Sequence, residues 1–268
     1  MTADESTSLV PAAVRAREPG PLGLRWTARV ESACSGAKNM ARDHASALEL
    51  QAGRAALRLY RWDVPTLSLG RNEPALGRYD PDLLRRLGVA VVRRPSGGRA
   101  VLHWRELTYA IALPASALGP RAAYRWINEM LASALASLGV PVEIASRAGC
   151  AQLPDAGPCF RGAAPGEVVA RGRKLVGSAQ VRIRRVILQH GSILLGNDQA
   201  LLQDLSATAG GVAPVTLSGL LDRPLAKNEL EVALLGVFKA TAVGRAPRQA
   251  IERELELRYR SDAWTWRC

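Results

Sequence analysis

Few side chains in this sequence are chemically versatile, and their spacing narrows what they could do. The cysteines stand at 34, 150, 159 and 268 with no Cys-x-x-Cys pair, and the three histidines, His44, His103 and His190, lie far apart. Neither set has metal-ligand spacing, so no metal site is expected. No Walker-type phosphate loop, no Gly-x-Gly-x-x-Gly opening a helix and no Gly-x-Ser-x-Gly elbow occurs. Nucleotide cradles and serine-hydrolase sites therefore have no sequence support. What remains is two glycine-bearing stretches with a cysteine-containing loop between them.

The first stretch is Arg93-Arg94-Pro95-Ser96-Gly97-Gly98-Arg99-Ala100-Val101-Leu102-His103. Adjacent glycines let backbone N–H groups approach a ligand closely, though a hairpin turn between solvated arginines has the same spelling. The second runs Gly172-Arg173-Lys174-Leu175-Val176-Gly177-Ser178-Ala179-Gln180 and ends in Gln189-His190-Gly191-Ser192. Its small residues at 177 to 179, inside a β-like run, leave room on one face. Lys174 is one of only four lysines, with Lys38, Lys227 and Lys239, in a chain that writes nearly every cation as arginine. A desolvated lysine can exchange a proton where arginine cannot, so Lys174 hints at proton chemistry; a surface lysine is the plain alternative.

The elements that must position these residues can be read from periodicity. A helix is expected from Asn39 as N-cap, with Met40, His44, Ala47, Leu48 and Gln51 on one face. Strand-like pieces follow at 56–60, 66–69, 89–93, 99–103 and 107–113. A helix over 121–138 carries the stripe Ile127, Met130, Leu131, Ala134, Leu135 and Leu138, and Gly139 with Pro141 ends it. Residues 148–166 read as a loop, then strands at 167–170, 175–183 and 186–195, and closing helices at 227–243 and 247–259. Strands broken by helices without regular βαβ alternation predict an α+β fold with a mixed, mainly antiparallel sheet flanked by helices. Residues 1–24 read as a flexible tail and 25–268 as one domain.

The chain has 268 residues, 48% hydrophobic and 22% charged, enough for a core without disulfides. With 36 basic against 24 acidic residues the formal charge is +12. An acidic partner is expected, but the arginines are spread along the chain and aromatics are only 5%. No nucleic-acid motif appears, so an acidic protein or anionic small molecule is preferred over nucleic acid. No apolar run reaches the roughly 18 residues of a membrane helix. The expectation is a soluble, reduced, cytoplasmic protein.

Taken together, the two stretches resemble the lipoate–protein ligase and octanoyltransferase superfamily, and most closely its LipM-type octanoyl-carrier-protein:protein N-octanoyltransferases. Glu106-Leu107-Thr108-Tyr109 and Ile187-Leu188-Gln189-His190-Gly191-Ser192-Ile193-Leu194-Leu195 extend the match, with weaker echoes at Asn39-Met40-Ala41 and Tyr259 to Trp264. The resemblance covers about residues 25 to 266. It implies the catalytic-domain fold of biotin and lipoate ligases and a two-step acyl transfer. The family's nucleophile, a cysteine followed by Phe before the Gly-Arg-Lys motif, falls on Cys159-Phe160, and the lysine that lowers its pKa falls on Lys174. The implied substrate-binding residues are Arg94, Ser96, Gly97, Gly98, Arg99, His103, Gly177, Ser178, Ala179, His190 and Gly191. The implied donor is octanoyl-acyl carrier protein and the acceptor a lipoyl-domain protein such as glycine cleavage H protein, with no cofactor and a monomeric enzyme. Gly70-Arg71-Asn72 instead resembles the ATP-using lipoate ligases, the alternative activity. The chain departs from the family pattern at His44, at Trp104 and between Arg161 and Glu167.

Overall fold

The computed structural model describes residues 20–146, 159–199, 214–226, 228–243 and 249–268. In chain order its elements begin with β1 (Arg25–Val30), α1 (Gly36–Leu48), β2 (Arg54–Tyr60), β3 (Thr66–Leu69), α2 (Pro81–Arg86) and β4 (Ala90–Arg93). Next come β5 (Val101–His103), β6 (Glu106–Pro114), α3 (Pro120–Ser137), β7 (Val142–Ile144), β8 (Val168–Ala170) and β9 (Arg173–Lys174). The chain closes with β10 (Val176–Ile183), β11 (Val186–Leu194), α4 (Leu217–Leu220), α5 (Glu229–Val237), β12 (Thr241–Ala242), α6 (Gln249–Arg260) and α7 (Asp262–Thr265). The first 19 residues of the expected tail, Cys150 and the starts of both closing helices lie outside the described residues.

Six strands form the central sheet in the order β10-β11-β6-β2-β1-β12, antiparallel from β10 to β2 and parallel from β2 to β12. This is the mixed, mainly antiparallel sheet of an α+β fold. Strand β6 shows why both faces are covered. Leu107, Tyr109, Ile111 and Leu113 alternate onto the face packed by α3 and α5, where Ile127, Leu131, Leu230 and Leu234 complete the main core. Ala110 and Ala112 point to the opposite face, under Met40 and Ala41 of α1 and Tyr259 of α6. Small residues on that second face leave space between sheet and helix. A three-stranded sheet, β4-β3-β5, carries the first glycine stretch at one end, and a second, β7-β8-β9, carries Lys174.

Two expectations are corrected. The first helix starts at Gly36, capped by Ser35, whose hydroxyl accepts from the Lys38 N–H. Asn39 is not the cap: it is fully buried, donating to the Cys34 and Arg61 carbonyls and accepting from Arg58. The helix expected over 227–243 stops at Val237; the chain turns at Lys239, at φ 46°, and Thr241 and Ala242 pair in parallel with β1. The structure also adds β1, α2 and β7. The α2 signal was present, since Asp80 before Pro81 is an N-cap followed by proline at N1, and its carboxylate accepts from the Asp82 and Leu83 N–H groups.

His44, on α1, hydrogen-bonds the Tyr259 hydroxyl at 2.9 Å through Nδ1. Burial, with Arg258 adding to it, pushes its pKa from 6.5 down to about 4. The unfolded chain therefore takes up a proton that folded His44 refuses, and stability should fall as pH drops through that window. His44→Gln should flatten this part of a melting-temperature profile; an unchanged slope would place the acid sensitivity elsewhere.

Candidate functional site

The strand registers place four residues in one row across the sheet: Gly177 faces Ser192, Ser192 faces Thr108, and Thr108 faces Tyr60. Successive strands lie about 4.8 Å apart, so this row spans about 14 Å. All four residues line a single cleft between the sheet, α1 and the first glycine stretch. Its volume, open mouth included, is about 440 Å³. Met40, Trp62 and Val101 make its walls apolar.

Cys159 lies at the β10 end of this row. The ring of its neighbour Phe160 packs against Gly177, where an added Cβ would fall 2.7 Å from the ring's Cζ. The Cys159 N–H donates to the Ala100 carbonyl at 3.2 Å, which ties the cysteine to the glycine stretch. Lys174 is only 4% exposed, and its Nζ sits 3.5 Å from the Cys159 Sγ, 3.2 Å from the Cys159 carbonyl and 2.8 Å from Glu167 Oε1. Burial works to strip Lys174 of its charge, but Cys159 and Glu167 outweigh it and hold the pKa above the ordinary lysine value. The lysine is therefore desolvated, as expected of a proton-exchanging group, yet it is held as an ammonium.

The glycine stretch is built from inside. Arg94 is buried and donates to the carbonyls of Ser68 at 3.0 Å, Gly97 at 2.7 Å and Arg99 at 2.8 Å, so its guanidinium shapes the loop. Burial lowers its pKa, and Cys159 lies among the groups that oppose that shift. Gly70 supports the loop from below: an added Cβ would lie 1.8 Å from the Gly98 carbonyl oxygen, so no side chain fits. This packing, together with the bond from the Arg71 N–H to the Ser96 carbonyl at 2.8 Å, gives Gly70-Arg71 a structural role beside the loop.

Two histidines face the cleft, each in a buried chain of hydrogen bonds. His190 Nδ1 meets Asp43 Oδ2 at 2.9 Å and its Nε2 meets Ser96 Oγ at 2.5 Å. Asp43 also accepts from the Tyr60 hydroxyl at 2.9 Å and from Arg58. With Nδ1–H donating to Asp43, Nε2 accepts from Ser96, so the ring pins the glycine stretch to β11. His103 is stacked on Trp62 at 4.1 Å and lies between Glu106 and Ser68, each at 2.7 Å.

The structure thus gathers most of the sequence-derived set. Arg94, Gly98, His103, Cys159, Gly177, Ser178, Ala179, His190 and Gly191 line the cleft. Lys174 stands behind Cys159. Ser96 is fully buried and acts through His190, while Gly97 and Arg99 touch the site through carbonyls that hold Arg94. Sequence reasoning missed Asp43, Glu106 and Glu167. Glu106 opened the quoted Glu106-Leu107-Thr108-Tyr109 stretch without being given a role, and Glu167 closes the departure that begins at Arg161. No periodicity singles out a buried carboxylate that pairs across the fold.

A mixed sheet crossed by an apolar cleft, with a thiol and a buried ammonium at one end, can hold an acyl chain and carry it on sulfur. The chain belongs to the lipoyl protein ligase A/B catalytic domain family, whose model matches residues 35–239. The octanoyltransferase LipM of Kyrpidia tusciae is 38% identical over 262 residues, covering 87% of this chain and 95% of the relative. That of Symbiobacterium thermophilum is 36% identical over 261 residues, covering 87% and 94%. Among solved structures, a Thermoplasma acidophilum protein with bound lipoic acid superposes with a TM-score of 0.76 at 19% identity, covering 91% of this chain and all of that one. Lipoate-protein ligase A bound with ATP gives 0.73 at 20% identity, covering 91% and 98%. These last two share the fold.

Proposed function

We propose that this protein is an octanoyltransferase of protein lipoylation. It takes octanoyl from acyl carrier protein onto Cys159 as a thioester, then passes it to a lysine ε-amine of a lipoyl-domain protein such as glycine cleavage H protein. The observation that carries this reading is the Cys159 Sγ 3.5 Å from the buried Lys174 Nζ, at the end of an apolar cleft that crosses four strands.

The chemistry follows from that pair. A free thiol, with pKa about 8.5, is only a few per cent thiolate at pH 7, and an adjacent ammonium favours the ionised form. The thiolate attacks the octanoyl carbonyl carbon, a C–S bond to Cys159 forms, the bond to the carrier's sulfur breaks, and that sulfur leaves as a thiolate that takes a proton from solvent. The acceptor amine then attacks the same carbon. The C–N bond forms, the C–S bond to Cys159 breaks, the sulfur departs as a thiolate beside Lys174, and the amine's proton passes to solvent. The ammonium favours both the attacking and the leaving sulfur. Thioester to amide is downhill, so the proposal requires no nucleotide. The +12 charge suits acidic protein partners. No helix among the described residues is long and apolar enough to cross a membrane, and we place the activity in the cytoplasm, carried by residues 25–268.

Intact mass after mixing with octanoyl-carrier protein, without ATP, tests the proposal directly. One octanoyl group should appear on the enzyme and move to an added lipoyl domain. Turnover only with ATP and free octanoate or lipoate, releasing AMP, would assign the protein to the ligases instead.

A further inference from the structure

Lys174 is not held by Cys159 alone. An ammonium has three N–H donors, and three acceptors surround this one: the Cys159 sulfur, the Cys159 carbonyl and Glu167 Oε1. Glu167 is itself only 5% exposed and fully engaged. Its Oε1 also accepts from the Tyr124 hydroxyl at 3.3 Å, and its Oε2 accepts from the Ala164 N–H at 2.8 Å. The loop it anchors is fixed again by Asn128, which donates to the Gly166 carbonyl at 2.8 Å. Tyr124 and Asn128 both come from α3, so a helix on the far side of the sheet edge sets where this carboxylate stands.

We propose that Glu167 is a positioning residue that aims the Lys174 ammonium at Cys159 and partly neutralises it. This rests on the reading of Cys159 as the acyl carrier. The charge count gives the reason. Before acylation Lys174 faces two anions, the thiolate and Glu167. Once the sulfur is acylated its charge is gone, and Glu167 alone keeps a buried ammonium in place to receive the sulfur when it leaves. Without Glu167, Lys174 would either give up its proton or swing away during the stage when the leaving thiolate needs it.

The test uses the full-length protein and follows alkylation of Cys159 by iodoacetamide against pH, read by peptide mass. The ionisable groups facing this sulfur are Lys174 on β9, Glu167 before β8, Tyr124 on α3 and Arg94 beside the glycine stretch. Glu167→Gln keeps an oxygen for Lys174 and removes the carboxylate's repulsion of the thiolate. The alkylation midpoint should therefore move down by about 1 pH unit. Octanoyl transfer from enzyme to lipoyl domain should slow on the order of tenfold, the scale of losing a group that orients a catalytic one. Glu167→Asp keeps the charge but shortens the reach. Its alkylation midpoint should stay near that of the parent while transfer slows. A parental midpoint in Glu167→Gln, or parental transfer in Glu167→Asp, would overturn the proposal and leave Glu167 as a loop anchor. Should Glu167→Gln fail to fold, Glu167→Asp still decides. Alkylation needs no substrate, so failure here is separate from failure of octanoyl transfer, which would show as no octanoyl adduct on the parent enzyme.

Discussion

Cys159→Ser is expected to abolish the octanoyl adduct and lower transfer by about a thousandfold or more, with circular dichroism unchanged. Serine fills nearly the same space beside Phe160 and keeps the backbone bond to Ala100, so the fold has no reason to change. A hydroxyl ionises far less readily than a thiol, and the ammonium of Lys174 cannot make up the difference. Were Cys159 only a packing residue, the substitution would cost almost nothing. The other described cysteines have different surroundings. Cys34 is half-buried beside Arg42, and Cys268 is exposed with its carbonyl accepting from Ala75 and Leu76. Cys34→Ser, Cys268→Ser and Cys150→Ser should all keep transfer. Full transfer by Cys159→Ser would sink the covalent route, and an adduct on Cys150 would move the nucleophile upstream.

Lys174 carries the second large effect. Lys174→Met keeps much of the volume but leaves Glu167 buried without its cation, which should destabilise the protein by about 3–5 kcal/mol. It also leaves the sulfur an ordinary thiol, so adduct formation should drop by up to about thirtyfold at pH 7, the reciprocal of a few per cent ionised, and recover as pH rises toward about 8.5. That recovery separates lost ionisation from a collapsed site, because a distorted cleft would stay slow at every pH. Lys174→Arg is the companion test. It keeps a positive charge, but a rigid guanidinium fork cannot reproduce the contacts at 2.8 Å to Glu167 and 3.5 Å to Cys159. Acylation should persist while release to the amine slows, so the octanoyl-enzyme accumulates. Parental kinetics in both variants would remove Lys174 from the mechanism.

The local parts of this protein were legible before any folding was considered. Strand β3 falls on the residues read from sequence, and α3 differs from its reading by one residue at each end, because alternation and helical stripes record backbone preferences of neighbouring residues. The motifs around Ser96, Cys159 and Lys174 gave the family and the acyl chemistry. Errors came where a residue's role depends on what is packed against it. Asn39 has the chemistry of an N-cap, yet its buried site beside Arg58 uses the amide differently. Thr241 and Ala242 follow a helical pattern, and only the open edge of β1 draws them into the sheet. The same holds in the cleft. Asp43 meets His190 across 147 positions and Ser96 meets His190 across 94, and neither separation leaves a mark on a periodic pattern. Glu167 lies only seven residues from Lys174, but their pairing needs the β8–β9 turn and the α3 residues that fix the carboxylate. Sequence determines which groups can react and where the chain prefers to bend. The distances that set their charge states exist only once distant segments are packed, because desolvation and Coulomb forces act through space and not along the chain.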